Sequence, residues 1–179
     1  GAPPAPETCN GFDDDCDGTS DEARPGQMVH VVVGALDFWI DAYEASRPGA
    51  TSTSPGFLEH VACSEAGVVP WNNVTWTSAG QACAAANKRL CTETEWQAAC
   101  AGGAGLFYPY GNTYLPDACN GNDYDADCTP PDRDGLFQTG SAYGCPPVAQ
   151  TVCVSGPGAV DMSGNLMEWT ETLASVSPL

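Results

Sequence analysis

Ten cysteines in a chain of 179 residues constrain this fold more than any other feature of its sequence. They follow no zinc-finger or haem-attachment spacing, and reduced cytosolic proteins rarely carry so many. We therefore predict up to five disulfides and an extracellular or cell-surface location, reached after removal of a signal peptide. The cysteines are Cys9, Cys16, Cys63, Cys83, Cys91, Cys100, Cys119, Cys128, Cys145 and Cys153.

The charge of the chain is strongly acidic, with 23 Asp and Glu against five Lys and Arg and a net charge of −18. Such a chain disfavours nucleic acid and anionic membranes as partners. It favours bound cations, although an acidic surface also serves solubility alone. No apolar run reaches the ~20 residues of a membrane span. No P-loop, dinucleotide, zinc-protease or serine-hydrolase motif is present, so nothing predicts nucleotide or hydrolase chemistry.

Composition divides the chain into three parts. Residues 1–6 form a Pro/Ala linker, residues 7–24 an Asp/Cys-rich motif, and residues 28–179 a globular domain. Within the domain, residues 101–158 are rich in Gly, Asp, Asn and Pro. So long an irregular stretch needs disulfides or metal ions to hold it.

Regular structure is predicted in four places. Apolar, β-branched and aromatic content indicates a hairpin of two strands, Met28–Val33 and Phe38–Ala45. Two helices are indicated over Thr77–Asn87 and Thr92–Cys100, the second opening with a capping-box pattern. Its length at about 1.5 Å per residue places the cysteines at 91 and 100 too far apart to pair with each other.

The Asp-rich motif contains D-x-D-x-D-G, a spacing of alternate carboxylates before a glycine that suits a hard cation such as calcium. It is not an EF-hand, because Arg24 stands at the twelfth position, but it resembles a short C-N-G-x-D-D-D-C-D-G motif of secreted bacterial proteins. Cys9 and Cys16 are well placed to close the loop. The alternative is a solvated acidic tail. The predicted ligands are Asp13, Asp15, Asp17, Asp21 and Glu22.

Four further stretches, in order and covering roughly residues 28–171, resemble the signatures of the formylglycine-generating enzyme (sulfatase-modifying factor) family. They are F-W-I-D-A-Y-E-A-S at 38–46, N-V-T-W at 73–76, N-K-R-L-C-T-E-T-E-W at 87–96 with Y-P-Y-G-N at 108–112, and D-M-S-G-N-L-M-E-W-T at 161–170. The resemblance implies an α+β fold related to C-type lectins, low in regular structure and often stabilised by calcium. We expect the signature tryptophans Trp76, Trp96 and Trp169 to be core, and Lys88 and Arg89 to form ion pairs.

The resemblance also implies two calcium sites, which with the Asp-rich motif gives two or three ions. In the first, Asn120 and Asp134 are side-chain ligands, and Gly121 and Leu136 are carbonyl ligands. Aspartates at 123, 125 and 127 are alternative ligands there. In the second, side chains of Asp161 and Glu168 join carbonyls of Gly164 and Leu166. The alternative role of Glu168 is to cap nearby amides.

The family's oxidase activity requires a copper-binding cysteine pair in a later segment that follows R-G-G-S-[FW]. This sequence has no R-G-G-S and ends at Leu179. We therefore expect a non-catalytic extracellular calcium-binding module for adhesion, matrix or surface-filament structure, without copper. Its expected partner is a protein or carbohydrate surface, or further copies of itself. The alternatives are a fragment of a copper-dependent oxidase acting on sulfatases and a secreted metal-sequestering protein.

Overall fold

A computed structural model describes Cys9, residues 12–16, Gly18, and residues 27–121, 135–143 and 151–171. The described chain is a mixed α/β structure with two short helices and three two-stranded antiparallel sheets. No described helix is both long and apolar enough to cross a bilayer. The strands are β1 (Met28–Val33), β2 (Leu36–Asp41), β3 (Ala45–Ser46), β4 (Cys63–Ser64), β5 (Ala142–Tyr143) and β6 (Thr151–Val152), and the helices are α1 (Trp76–Ala85) and α2 (Glu93–Ala101).

The predicted hairpin is present as β1 and β2, with Val31 opposite Phe38. Alternation along the strands turns Val31 and Ile40 into the core, while Trp39 is exposed on the other face. The second strand ends at Asp41, earlier than predicted. The chain then bends, and residues 45–46 pair with β4 in a separate sheet.

Both predicted helices form, each with a threonine cap. Thr75 caps α1 by accepting a hydrogen bond from the Ser78 amide at 3.2 Å. The capping box before α2 is confirmed, because Thr92 Oγ1 accepts from the Glu95 amide and a Glu95 carboxylate oxygen accepts from the Thr92 amide at 2.8 Å. Satisfying these amides sets where α2 begins.

The main core lies where α2 packs against the hairpin and against the chain leading into residues 161–168. Its buried members are Val31, Ile40, Ala99, Cys100, Ala159 and Met162. A second cluster joins Cys119, Cys153 and Tyr143 beside the Cys119–Cys153 disulfide. These two clusters fix both flanks of the segment that carries the last predicted cation ligands.

The predicted Cys9–Cys16 loop is wrong, because Cys9 forms its disulfide with Cys63. Cys9 packs against the buried apolar cluster of Val61, Cys63 and Ala86, whereas Cys16 is an exposed free thiol. Pairing with Cys63 therefore removes a sulfur from water that pairing within the loop would leave exposed. The bond ties the Asp-rich motif to the globular domain.

Candidate functional site

The loop of residues 161–168 is held in an unusual backbone conformation. Asp161, Gly164 and Asn165 all have positive φ angles, of 61°, 131° and 65°. A side chain at position 164 would overlap the carbonyl of Asn120, so only glycine fits there. The result is a tight loop packed directly on the segment around residue 120.

Asp161 is the most deeply buried acid of this loop, with 1% of its surface exposed. Its carboxylate accepts hydrogen bonds from the Gly140 amide at 2.7 Å and from the Tyr143 hydroxyl at 3.2 Å. Burial raises its pKa, and these two hydrogen bonds act in the opposite direction. A carboxylate has about four acceptor positions, so Asp161 retains the capacity to bind an ion.

Glu44 is the acid that the sequence analysis did not single out. It follows β2 and is 8% exposed, yet its carboxylate lies against the loop 121 residues further along the chain. Its oxygens accept from Asn165 Nδ2 at 2.5 Å and from the Leu166 amide at 2.8 Å. Burial, with the charges of Asp161 and Glu168 adding to it, raises its pKa to about 8. The feature of the sequence that could have indicated a role for Glu44 is its position as an acid within the aromatic stretch 38–46.

Glu168 closes the loop. Part of its surface is open to solvent, but burial of the carboxyl group and the charge of Asp161 raise its pKa to about 8. In the described part of the chain, none of the ion pairs involves Glu44, Asp161 or Glu168. When they are ionised, the three carboxylates therefore repel one another, and no ion pair among the described residues offsets that repulsion.

This donor set fits a calcium ion better than a softer metal. Among the described residues, no three His, Cys, Asp or Glu side chains are grouped closely enough to hold a metal by themselves. An ion would need backbone carbonyls as well, and calcium accepts them readily. The predicted carbonyl ligands of Gly164 and Leu166 lie in the same loop as the Asp161 and Glu168 carboxylates, and their role as ligands stays a prediction.

The structure also brings together parts of the other predicted calcium site. Asn120 Nδ2 donates to the Gly135 carbonyl at 3.0 Å, so residues 120–121 lie beside the segment that contains Leu136. Asp134 and the alternative aspartates at 123, 125 and 127 lie outside the described residues.

In the Asp-rich motif only Asp13 and Asp15 of the predicted ligands are described. The Asp13 carboxylate accepts from the Gly18 amide at 2.9 Å, within a turn where Gly18 has a φ of 96°. Asp17, Asp21 and Glu22 lie outside the described residues. The ligand set of this motif therefore stays a prediction.

A cavity of about 680 Å³ adjoins the loop and contains Glu44 and Glu168 in its wall. Its apolar lining includes Trp39, Trp96 and Trp169. Trp96 also packs against the main core cluster, as expected. Trp169 is 49% exposed. The indole nitrogen of Trp96 is buried and has no hydrogen-bond partner in the described residues.

Two ion pairs frame the same cavity, as expected for the basic residues of the signature. Lys88 Nζ lies 2.7 Å from the Asp41 carboxylate, and Arg89 lies 2.6 Å from the Glu95 carboxylate. The hydrogen bond from Arg89 lowers the Glu95 pKa to about 2. These residues connect β2 to the start of α2.

The described thiols beside the cavity are not activated. Burial raises the pKa of Cys83, and it raises the pKa of Cys91 and of Cys100 to about 11. Because the thiolate is the nucleophile, these cysteines are poor nucleophiles at neutral pH.

Comparison with known proteins assigns the chain to a family. Residues 29–178 match the FGE-sulfatase model, described as a sulfatase-modifying factor enzyme 1-like domain. The chain is 34% identical over 108 residues to inactive C-alpha-formylglycine-generating enzyme 2 of Mus musculus, and 34% identical over 107 residues to its Bos taurus counterpart. These alignments cover 57% and 56% of this chain, and the chain spans 32% of the length of each relative. Since the family model covers most of the chain, the protein belongs to the formylglycine-generating enzyme (sulfatase-modifying factor) family.

Proposed function

We propose that this domain is a non-catalytic, calcium-stabilised extracellular module that presents a binding surface for adhesion, matrix or surface-filament assembly. One observation carries the proposal. The carboxyl groups of Glu44, Asp161 and Glu168 share one loop with its backbone carbonyls, and when ionised they repel one another with no described ion pair to offset them. A calcium ion removes this repulsion and fixes the loop.

Calcium supplies structural rigidity in this proposal, and the chain's own residues define where it binds. Asp161 and Glu168 would hold it by side chain, with carbonyls of Gly164 and Leu166. A second site that includes Asn120, and a third in the Asp-rich motif, would bring the total to two or three ions. The proposed scaffold is a C-type-lectin-like fold, in which loops carry recognition and ions hold the loops.

One observation supports a non-catalytic role over the oxidase. Both relatives named above are themselves described as inactive. Oxidation of a sulfatase-derived cysteine peptide, measured with added copper, is the direct test of the alternative.

A polypeptide is the partner that the tryptophan-lined cavity fits best. A bound peptide segment would lie on the open side of the cavity, where tryptophan rings are accessible. The exposed faces of Trp39 and Trp169 suit apolar side chains of the same segment. Extracellular location follows from the cysteine content and remains part of the proposal.

Calorimetric titration of chelator-stripped protein with calcium tests the central claim. We expect two or three ions to bind and the melting temperature to rise with calcium concentration, because only the folded state forms the sites. Magnesium should compete poorly, since it demands near-octahedral geometry. Glu168→Gln should lose one ion, whereas Glu171→Gln, an exposed carboxylate three residues away, should lose none. A wild-type protein that binds no calcium would refute the proposal.

A further inference from the structure

The shape of the 161–168 loop depends on a residue from the other end of the domain. Glu44 uses both of its carboxylate oxygens on the loop, one for the Asn165 side chain and one for the Leu166 amide. The Leu166 amide also lies 2.9 Å from the Gly164 carbonyl. Glu44 therefore holds the part of the loop that contains both proposed carbonyl ligands, Gly164 and Leu166.

Asn165 forms the centre of this arrangement. Its Nδ2 donates to Glu44, and its Oδ1 accepts from the Phe137 amide at 2.9 Å and from Asn120 Nδ2 at 3.0 Å. Its own amide donates to the Asn120 carbonyl at 2.7 Å. In a trans peptide the N–H of Asn165 and the C=O of Gly164 point in opposite directions, so this last bond aims the Gly164 carbonyl away from Asn120.

We propose that Glu44 and Asn165 are positioning residues for the cation site: they do not bind the ion but set the backbone carbonyls of the loop in the geometry that binds it. The proposal rests on the calcium function proposed above. Partners of this kind, one layer outside the ligands, typically change metal affinity by about 10–100-fold when they are altered.

Two other roles for Glu44 lead to different results. As a ligand, it would contribute directly to the ion, and Asn165 would matter little. As a purely structural residue, it would affect the stability of the calcium-free protein and leave the affinity for calcium unchanged.

A charge-exchange experiment separates these roles. Glu44→Gln keeps an acceptor for the Leu166 amide but turns an amide group toward Asn165 Nδ2. Asn165→Asp keeps the acceptor for the Phe137 amide and for Asn120. It turns a carboxylate oxygen toward Glu44 and toward the Phe137 carbonyl, to which Asn165 Nδ2 also donates at 3.2 Å. With Glu44 ionised, each single variant thus breaks the bond between the two side chains. The double variant Glu44→Gln/Asn165→Asp rebuilds that bond with donor and acceptor exchanged, and its net charge equals that of the wild type.

The calcium affinities of the wild type, the two single variants and the double variant are measured by calorimetry. Glu168→Gln identifies the binding step that belongs to this loop. The melting temperatures of the same four proteins are measured in chelator. We expect each single variant to bind calcium about tenfold more weakly at this step, and the double variant to regain a substantial part of the loss. The Asn165→Asp result is the most discriminating, because an added negative charge by itself would strengthen cation binding.

Tighter binding by Asn165→Asp, or a double variant as weak as Glu44→Gln, would overturn the positioning role. Single variants that lower the melting temperature without changing affinity would assign both residues to structure alone. Either result leaves the calcium function intact if the wild type binds. A wild type that binds no calcium would refute the calcium function, and the positioning role with it.

Discussion

Acidification is expected to stabilise the calcium-free protein, because Glu44 is buried among other acids. The pKa of its carboxyl group rises from 4.5 to about 8 on folding. Between these two values the folded state holds a proton that the unfolded state releases, so the free energy of unfolding falls as the pH rises. The stabilisation is fully present below pH 4.5 and is lost as the pH passes through about 8.

The size of the effect follows from the same two values. Each unit of pKa corresponds to about 1.4 kcal/mol, so the rise in the Glu44 pKa changes the free energy of unfolding by at most about 5 kcal/mol. Glu168, whose pKa rises to about 8 as well, acts in the same direction. Calcium should cancel most of the loss at high pH, because a bound ion compensates the ionised carboxylates.

Urea unfolding followed by tryptophan fluorescence, at about pH 5 and about pH 8.5, measures this dependence in chelator and in calcium. We expect a fall of several kcal/mol in chelator and a much smaller fall in calcium. Glu44→Gln should flatten the curve in chelator, and the exposed Glu171→Gln should not. A calcium-free protein that is more stable at the higher pH would falsify the reasoning. So would a Glu44→Gln variant whose free energy of unfolding depends on pH as steeply as that of the wild type.

Three further perturbations test the surrounding structure by urea unfolding. Thr92→Ala removes the cap of α2 and should cost about 1 kcal/mol, whereas Thr94→Ala, exposed in the same helix, should cost little. Cys9→Ser opens a disulfide across a sequence separation of 54 residues and should cost about 4 kcal/mol, and non-reducing peptide mapping of the wild type should recover this pairing. Gly164→Ala should cost more than about 2 kcal/mol and weaken calcium binding, because its Cβ has no room, while Gly103→Ala, with open space around it, should be tolerated.

Local patterns in the sequence were sufficient for the hairpin and the two helices, but not for the short strands β3 to β6. Alternating β-branched residues predict β1, and the Thr92–Glu95 spacing predicts the start of α2, because both depend on interactions within a few residues. The end of β2 was predicted too late. The bend after Asp41 comes from pairing between β3 and β4, which is a contact at long range.

Family motifs identified the loop at 161–168 and two of its acids, since a motif records which residue types recur at which spacing. They left Glu44 without a role. Its partners Asn165 and Leu166 are more than a hundred residues away, and no local pattern reports such a contact.

The sequence by itself determined the family, the hairpin, the two helices and the excess of negative charge that a cation would offset. Only the tertiary structure decided that Cys9 pairs with Cys63 and that Trp96 and Trp169 line a cavity. It also decided that Glu44 meets the 161–168 loop. The physical reason is the same in each case. Short-range patterns fix backbone conformation, whereas the partner of a thiol, an indole or a carboxylate depends on which distant segments the core packing brings together.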